Sequence, residues 1–178
     1  QYIITKDSIH DAHNRKEYLD SVDAVFNKIT VMKVLWFGIE RRNRPKKTQW
    51  YLSSLAGLIE PIQIGGPRIN PGYHFFKKWD NEQILTTDLD VSVGILNADV
   101  RGGAAVFYRY QPFHFGSVGA RVSHRIGVIR NDAFTQIYKR DNFYEVTDLA
   151  LQHNYEIFNG FYVNNYFNFA ERRSISNY

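Results

Sequence analysis

The sequence predicts a mainly β chain in which antiparallel strands run up and down behind a short amphipathic helix. Three observations carry that expectation. After Gly72 apolar and polar residues alternate with a period of two, as in strands with one dry face and one wet face. Turn-forming residues punctuate the alternation at short intervals. Ahead of it, "EYLDSVDAVFNKI" repeats Leu19, Val22, Phe26 and Ile29 at helical spacing, which makes one apolar stripe.

The helical stretch runs from about Asp7 to Thr30, with Asp20, Asp23, Asn27 and Lys28 falling away from the stripe. Such a helix is expected to pack its stripe on a neighbouring surface. His10 and His13 sit three residues apart beside Asp7 and Asp11, a spacing that can place metal ligands on one helix face. No further ligand follows at a recognised spacing, so a solvated helix is expected and no metal. Residues 1–32 form this helical segment.

Residues 33–72 read as a connection with a possible first strand. "LWFGIERRNRPKKTQWYL" holds the densest charge in the chain, Arg41, Arg42, Arg44, Lys46 and Lys47, with Pro45 breaking it and aromatics on both sides. A polar turn or rim at the edge of an apolar zone fits this pattern. "EPIQIGGPRINPG" then supplies loop chemistry through three prolines and three glycines.

Residues 73–178 carry about six β segments in a meander-like pattern. Leu89, Val91, Val93 and Ile95 alternate with Asp88, Asp90, Ser92 and Gly94. Val118, Ala120, Val122, Ile126 and Val128 share a face on which His124 is the one polar residue, opposite Gly119, Arg121, Ser123, Arg125 and Gly127. Further segments are Val106–Tyr110, Ala133–Lys139, Phe143–Leu151 and Tyr155–Phe169. Turns are expected at Asn97–Gly103, Gln111-Pro112, Asn131-Asp132, Asp141-Asn142 and His153-Asn154.

Composition narrows the class. A chain of 178 residues suits one domain, and 44% apolar with 22% charged residues argues against disorder. Aromatics reach 16%, with 13 Phe, 12 Tyr and 3 Trp, and Tyr and Trp suit boundaries between wet and dry media. The absence of cysteine removes disulfides, thiolate metal sites and thiol nucleophiles. With 22 basic against 18 acidic residues the surface is mixed rather than a nucleic-acid footprint. No stretch reaches the roughly 18 apolar residues of a membrane-spanning helix. The chain starts at Gln1 without Met, so a processed or excised piece is expected.

Alternation does not say which face points inward. In a soluble sandwich or lipocalin-like barrel the apolar face is interior; in an outer-membrane barrel it meets lipid. Three features lean to the membrane. Several segments reach the roughly 9–11 residues that a tilted strand needs to cross hydrocarbon. The polar faces carry Gly, Ser, Asn, Arg and Asp more than the Lys and Glu of a solvated face. Phe and Tyr gather at segment ends, where an aromatic girdle would lie. About six strands fall short of the usual minimum of eight, so a membrane barrel would be incomplete here. Both architectures stay open at this level.

"KDSIHDAHNRKEYLDSVDAVFNKI" resembles a segment of a Gram-negative outer-membrane family in which a carboxypeptidase-regulatory-like domain precedes a large β-barrel of unknown function. The matching residues are Asp7, Ser8, Tyr18, Leu19, Asp20, Ser21, Asp23, Asn27 and Lys28. "YRYQPFHFG" (Tyr108–Gly116) and "NGFYVNNYFNFAERRSISNY" (Asn159–Tyr178) also look like that family's strands. The resemblance implies the bacterial outer membrane, with the N-terminal helix in the periplasm and barrel strands following. It brings no catalytic residues.

Function follows as expectation. The leading reading is a segment of an outer-membrane barrel acting as a channel, transporter or structural subunit of an envelope assembly. Its partners would be outer-membrane lipid and other envelope proteins in a larger complex, not nucleic acid. The alternative is a soluble barrel or sandwich that binds a small ligand or polysaccharide on aromatic platforms, and an envelope hydrolase is a third. Val118, Val122, Phe161, Val163, Phe167 and Phe169 are the candidates for lipid or partner contact. Asp88, Asp90, Arg121, Arg125, Asn164 and Asn168 are the polar-face candidates, with ion pairs expected between the two arginines and the two aspartates. Arg41, Arg42, Arg44, Lys46 and Lys47 form the basic rim. No catalytic, cofactor-binding or metal-binding residue is assigned: "GGPR" lacks the end of a phosphate loop, and no GxSxG or HExxH motif occurs.

Overall fold

The computed structural model describes residues 15–60, 66–96, 98–129 and 143–175. Among these described residues ten strands join one antiparallel sheet. A helix, α1 (Lys16–Asn27), and a π-helical turn (Lys33–Phe37) precede the hairpin β1 (Ile39–Asn43) and β2 (Thr48–Leu52). A one-turn helix, α2 (Leu55–Leu58), leads to two short strands, β3 (Ile59–Glu60) and β4 (Arg68–Ile69). The long strands follow: β5 (Gly72–Lys78), β6 (Ile84–Gly94), β7 (Val100–Gln111), β8 (Gly116–Val128), β9 (Phe143–Phe158) and β10 (Phe161–Ser174).

Strand order is β1-β2-β5-β6-β7-β8-β9-β10, so neighbours in sequence are neighbours in space apart from the β3–β4 hairpin. β4 and β5 both pair with β6 and amount to one strand interrupted at Asn70 and Pro71. Proline cannot donate to a ladder, and its carbonyl instead accepts from Val91 N–H at 3.1 Å. From β6 to β10 the strands run 11 to 16 residues, well beyond the usual 5–6.

The alternating directions put the connections 44–47, 79–83, 112–115 and 159–160 at one end of the sheet. The longer connections, 53–71 and 129–142, lie at the other end with 95–99.

Three boundaries differ from the sequence expectation. His153-Asn154 is no turn: β9 runs through it to Phe158, and Tyr155–Phe169 is a hairpin rather than one strand. Asn159-Gly160 makes the reversal, with Gly160 in the left-handed region at φ +86°, the chemistry of a two-residue hairpin. The stretch through Gly103 is only partly turn, because β7 begins at Val100. The helix ends at Asn27 rather than Thr30. The Ala133–Lys139 segment, the turns at 131–132 and 141–142, and His10 and His13 lie outside the described residues.

α1 docks on the outer edge of β1. Leu19, Val22 and Phe26 are half-buried, while Ile29 at the end of the expected stripe is exposed. Asp23 and Asn27, which fall away from the apolar stripe in the sequence reading, belong to the docking face. Asn27 Oδ1 accepts from Arg42 N–H at 2.6 Å, and Asn27 Nδ2 donates to Arg42 O at 2.8 Å. One side-chain amide thus takes both edge groups of a residue that a further strand would otherwise pair. The Arg42 guanidinium lies 4.4 Å from the centre of the Phe26 ring, and Arg44 Nε reaches Asp23 at 2.7 Å. Asn27→Ala is expected to cost about 1–2 kcal/mol, the net worth of two hydrogen bonds. Hydrogen exchange at the Arg42 amide checks this, and unchanged protection would show that α1 does not guard the edge.

Candidate functional site

Register divides the sheet into two chemically distinct faces. Leu52, Tyr73, Leu89, Ala104, Val122, Leu149 and Phe169 stand opposite one another in a single cross-strand row from β2 to β10. The adjacent row runs Trp50, Phe75, Thr87, Val106, Ala120, Leu151 and Phe167. This apolar face is open: Val122 is 49% and Phe169 62% exposed. Among the described residues only Phe143 and Ala150 are buried apolar side chains, whereas Ser54, Arg68, Ser117, Ser123 and Glu156 are buried polar ones. The usual arrangement of a water-soluble domain is inverted.

The opposite face is a network of charge. Asp88 Oδ1 lies 2.5 Å from His74 Nδ1 on the neighbouring strand. Arg121 pairs with Asp148 at 3.1 Å, and Ser123 Oγ also donates to Asp148. Arg125 reaches Asp90 at 3.0 Å by crossing over β7. That crossing needs Gly103, where an added Cβ would meet Arg125 Nη2 at 3.0 Å and Asp90 Oδ1 at 3.3 Å. Gly119 lies under the Gln152 side chain and Gly127 under the Tyr144 ring in the same manner. Of the two ion pairs expected from sequence, Asp90–Arg125 forms, while Asp88 and Arg121 take other partners. His74 and Asp148 were the missing members, and only strand register could have brought them in.

At the long-connection end Arg68 is 1% exposed and fully engaged. It donates to Ser92 Oγ at 2.8 Å, Asp99 Oδ1 at 2.6 Å, Ser92 O at 2.9 Å and Asp99 O at 3.1 Å. Arg101 holds the other Asp99 oxygen at 2.6 Å. Arg68 lies in "GGPR", and its role as a staple between β4 and the β6–β7 turn has no local sequence signal.

The basic rim does not act as one surface. Arg44, Lys46 and Lys47 occupy the β1–β2 turn and its margins, while Arg41 shares the apolar face with Trp50. Arg42 and Arg44 are taken up by α1. Lys47 meets Asp80 of the β5–β6 turn at 2.6 Å. The hydrogen bond between them raises the Lys47 pKa above its ordinary value and lowers that of Asp80. Asp80 therefore favours the fold above the usual carboxylate range and loses that contribution as pH falls. Lys47 favours it below the usual lysine value and loses it as pH rises. Both groups are open to solvent, so salt screens the pair.

Of the remaining candidates, Val118, Phe161, Val163 and Phe167 stand with Val122 and Phe169 on the apolar side of β8 and β10, where Val163 opposes Tyr155. Asn164 and Asn168 lie on the polar side, opposite Asn154 and Ala150. Between Phe107 and Tyr166 the polar face dips over Ala105, Gly119 and Ala150 into a notch of about 240 Å3, bordered by Asp88, Arg121 and Gln152. Tyr166 and Gln152 occupy the same cross-strand row as Phe107 and Gly119.

No helix among the described residues is long and apolar enough to cross a membrane, which leaves strands unaddressed. Comparison with curated proteins and with solved structures found no match. A family model described as the C-terminal domain of a family of unknown function, DUF5686, matches residues 32–178. That match takes in the π-helical turn and every strand, and the chain belongs to this family.

Proposed function

We propose that the chain is a segment of an outer-membrane β-barrel protein that serves as a channel, a transporter or a structural subunit of an envelope assembly. One observation carries the reading: a chain with 44% apolar residues buries two apolar side chains among its described residues and turns its apolar rows outward. A contiguous exposed apolar surface of this extent calls for a second apolar phase. Lipid suits it because β2 and β5 to β9 pair with a strand on both sides, and strands of 11 to 16 residues reach or exceed the roughly 9–11 needed to cross hydrocarbon; β10 pairs only with β9 and leaves an edge that further strands would cover in a closed barrel.

The polar face then lines the interior, where its ion pairs neutralise one another. The uneven connections fit the same orientation, since outer-membrane barrels keep short turns on the periplasmic side and long loops outside. α1 docks near the short-turn end and is periplasmic in this reading. The carboxypeptidase-regulatory-like domain of the resembled family would belong to the same envelope protein. Action is passive: aliphatic and aromatic side chains anchor the sheet in outer-membrane lipid, and the interior or α1 meets solutes or further envelope proteins.

This segment has no cysteine of its own, so an introduced one is its single thiol. Single cysteines at Val122 and Phe167, or at Arg121 and Asn168, are placed in the full-length protein in outer-membrane vesicles. The first pair is expected to be shielded from a water-soluble maleimide and quenched by nitroxide lipids; the second pair should show the reverse. A water-soluble product in which all four positions react with the maleimide overturns the membrane reading.

A further inference from the structure

We propose that the notch between Phe107 and Tyr166 binds a saccharide. Its lining includes three small residues on adjacent strands, Ala105, Gly119 and Ala150, with Arg121 standing between Ala105 and Ala150 and the Gln152 side chain reaching over Gly119. Small side chains in central strands give up packing, and here their effect is to open about 240 Å3 on the polar face. The walls are aromatic, with Phe107 and Tyr166 three strand spacings apart, about 14 Å. Tyr166 is 65% exposed, and neither its ring nor its hydroxyl has a partner among the described residues.

The polar groups at the notch select the ligand class. The Gln152 amide, two donors and an acceptor, hydrogen-bonds to no group among the described residues. Asp88 keeps one carboxylate oxygen beyond its contact with His74, and Arg121 keeps N–H groups beyond its contact with Asp148. Because Asp88 already contacts His74 and Arg121 already pairs with Asp148, a phosphate or a zwitterion must compete with one of these contacts. A neutral ring with many hydroxyls competes with neither. Its hydroxyls accept from Arg121 and Gln152 and donate to Asp88, while its C–H face lies on an aromatic ring. A small apolar platform ringed by convergent polar groups is the usual form of such a site. The assignment goes beyond the membrane reading and uses only the polar face.

Full-length protein in detergent is titrated with glucose, maltotriose and cellotriose, with inorganic phosphate and glycine as comparison probes, by calorimetry and saturation-transfer NMR. At least one saccharide is expected to bind and the other two probes not. Tyr166→Ala should weaken binding roughly three- to tenfold, the worth of one aromatic contact, and Tyr166→Phe should retain most of it. Gln152→Ala should weaken it about fivefold. Both side chains are exposed, so neither change threatens the fold. Failure of all three saccharides, unaltered binding in both alanine variants, or binding of phosphate or glycine in their place overturns the proposal. Cysteine accessibility reads the membrane assignment separately, so either idea can fall alone.

Discussion

Arg68→Ala is expected to lower stability by about 3–5 kcal/mol, the range for removing one partner of a buried ion pair. The loss has identifiable parts. Four hydrogen bonds disappear, those to Ser92 Oγ, Ser92 O, Asp99 Oδ1 and Asp99 O, and the space of an almost wholly buried side chain is vacated. Because Arg68 joins β4 to β6 and to the β6–β7 turn, the damage should centre on the long-connection end and leave the β9–β10 hairpin protected. Denaturant titration with hydrogen exchange reads both quantities. Arg44→Ala supplies the contrast: its pair with Asp23 is partly exposed, and a cost near or below about 1 kcal/mol is expected. Equal costs for the two variants would mean that burial does not govern these arginines.

Leu149→Arg is the second large effect, and its sign depends on the medium. Leu149 lies between Val122 and Phe169 on the apolar face. If that face meets hydrocarbon, an arginine there costs about 2–4 kcal/mol near the midplane. If the face meets water, the same change replaces an exposed leucine by a solvated cation, and the effect falls within about 0.5 kcal/mol. Asn168→Arg, on the polar side of β10, should be tolerated in either medium. Folding into lipid vesicles, followed by the heat-dependent gel shift of the folded form, separates the outcomes. A neutral Leu149→Arg in vesicles would remove lipid from the account of this face.

The alternating rows were legible because period-two patterning is local: the faces of Leu89–Val93 and Val118–Val128 follow from neighbouring residues alone. The strand boundaries after Gly72 were harder, since a hairpin with alternation on both arms hides its own reversal. Asn159-Gly160 was the signal, and the aromatic run around it obscured the turn. Arg101-Gly102-Gly103 misled in the other direction, because glycines there serve crowding within the sheet as well as reversal. The polar face was legible as a face but not as a set of pairs. Asp88 meets His74 rather than Arg121 because register, fixed by turns many residues away, decides who stands opposite whom. The roles of Asp23 and Asn27 were missed for a related reason: amphipathic patterning marks apolar contact and is blind to a helix that docks through an amide and a carboxylate.

The glycines of the polar face bear on the fidelity of alignment. A strand that slips by two residues keeps its faces correct, so alternation alone does not penalise the error. Beneath the Asp90–Arg125 pair such a slip would replace Gly103 by Arg101 or Ala105, and a Cβ there already meets the guanidinium at 3.0 Å. At Gly119 and Gly127 a Cβ would lie 2.6 Å and 2.4 Å from the covering side chains, so a shifted β8 meets the same obstruction against β9. The three positions act together as a gauge: the near-miss that hydrophobic patterning would accept displaces the Arg125, Gln152 and Tyr144 side chains from the places they hold in the native alignment.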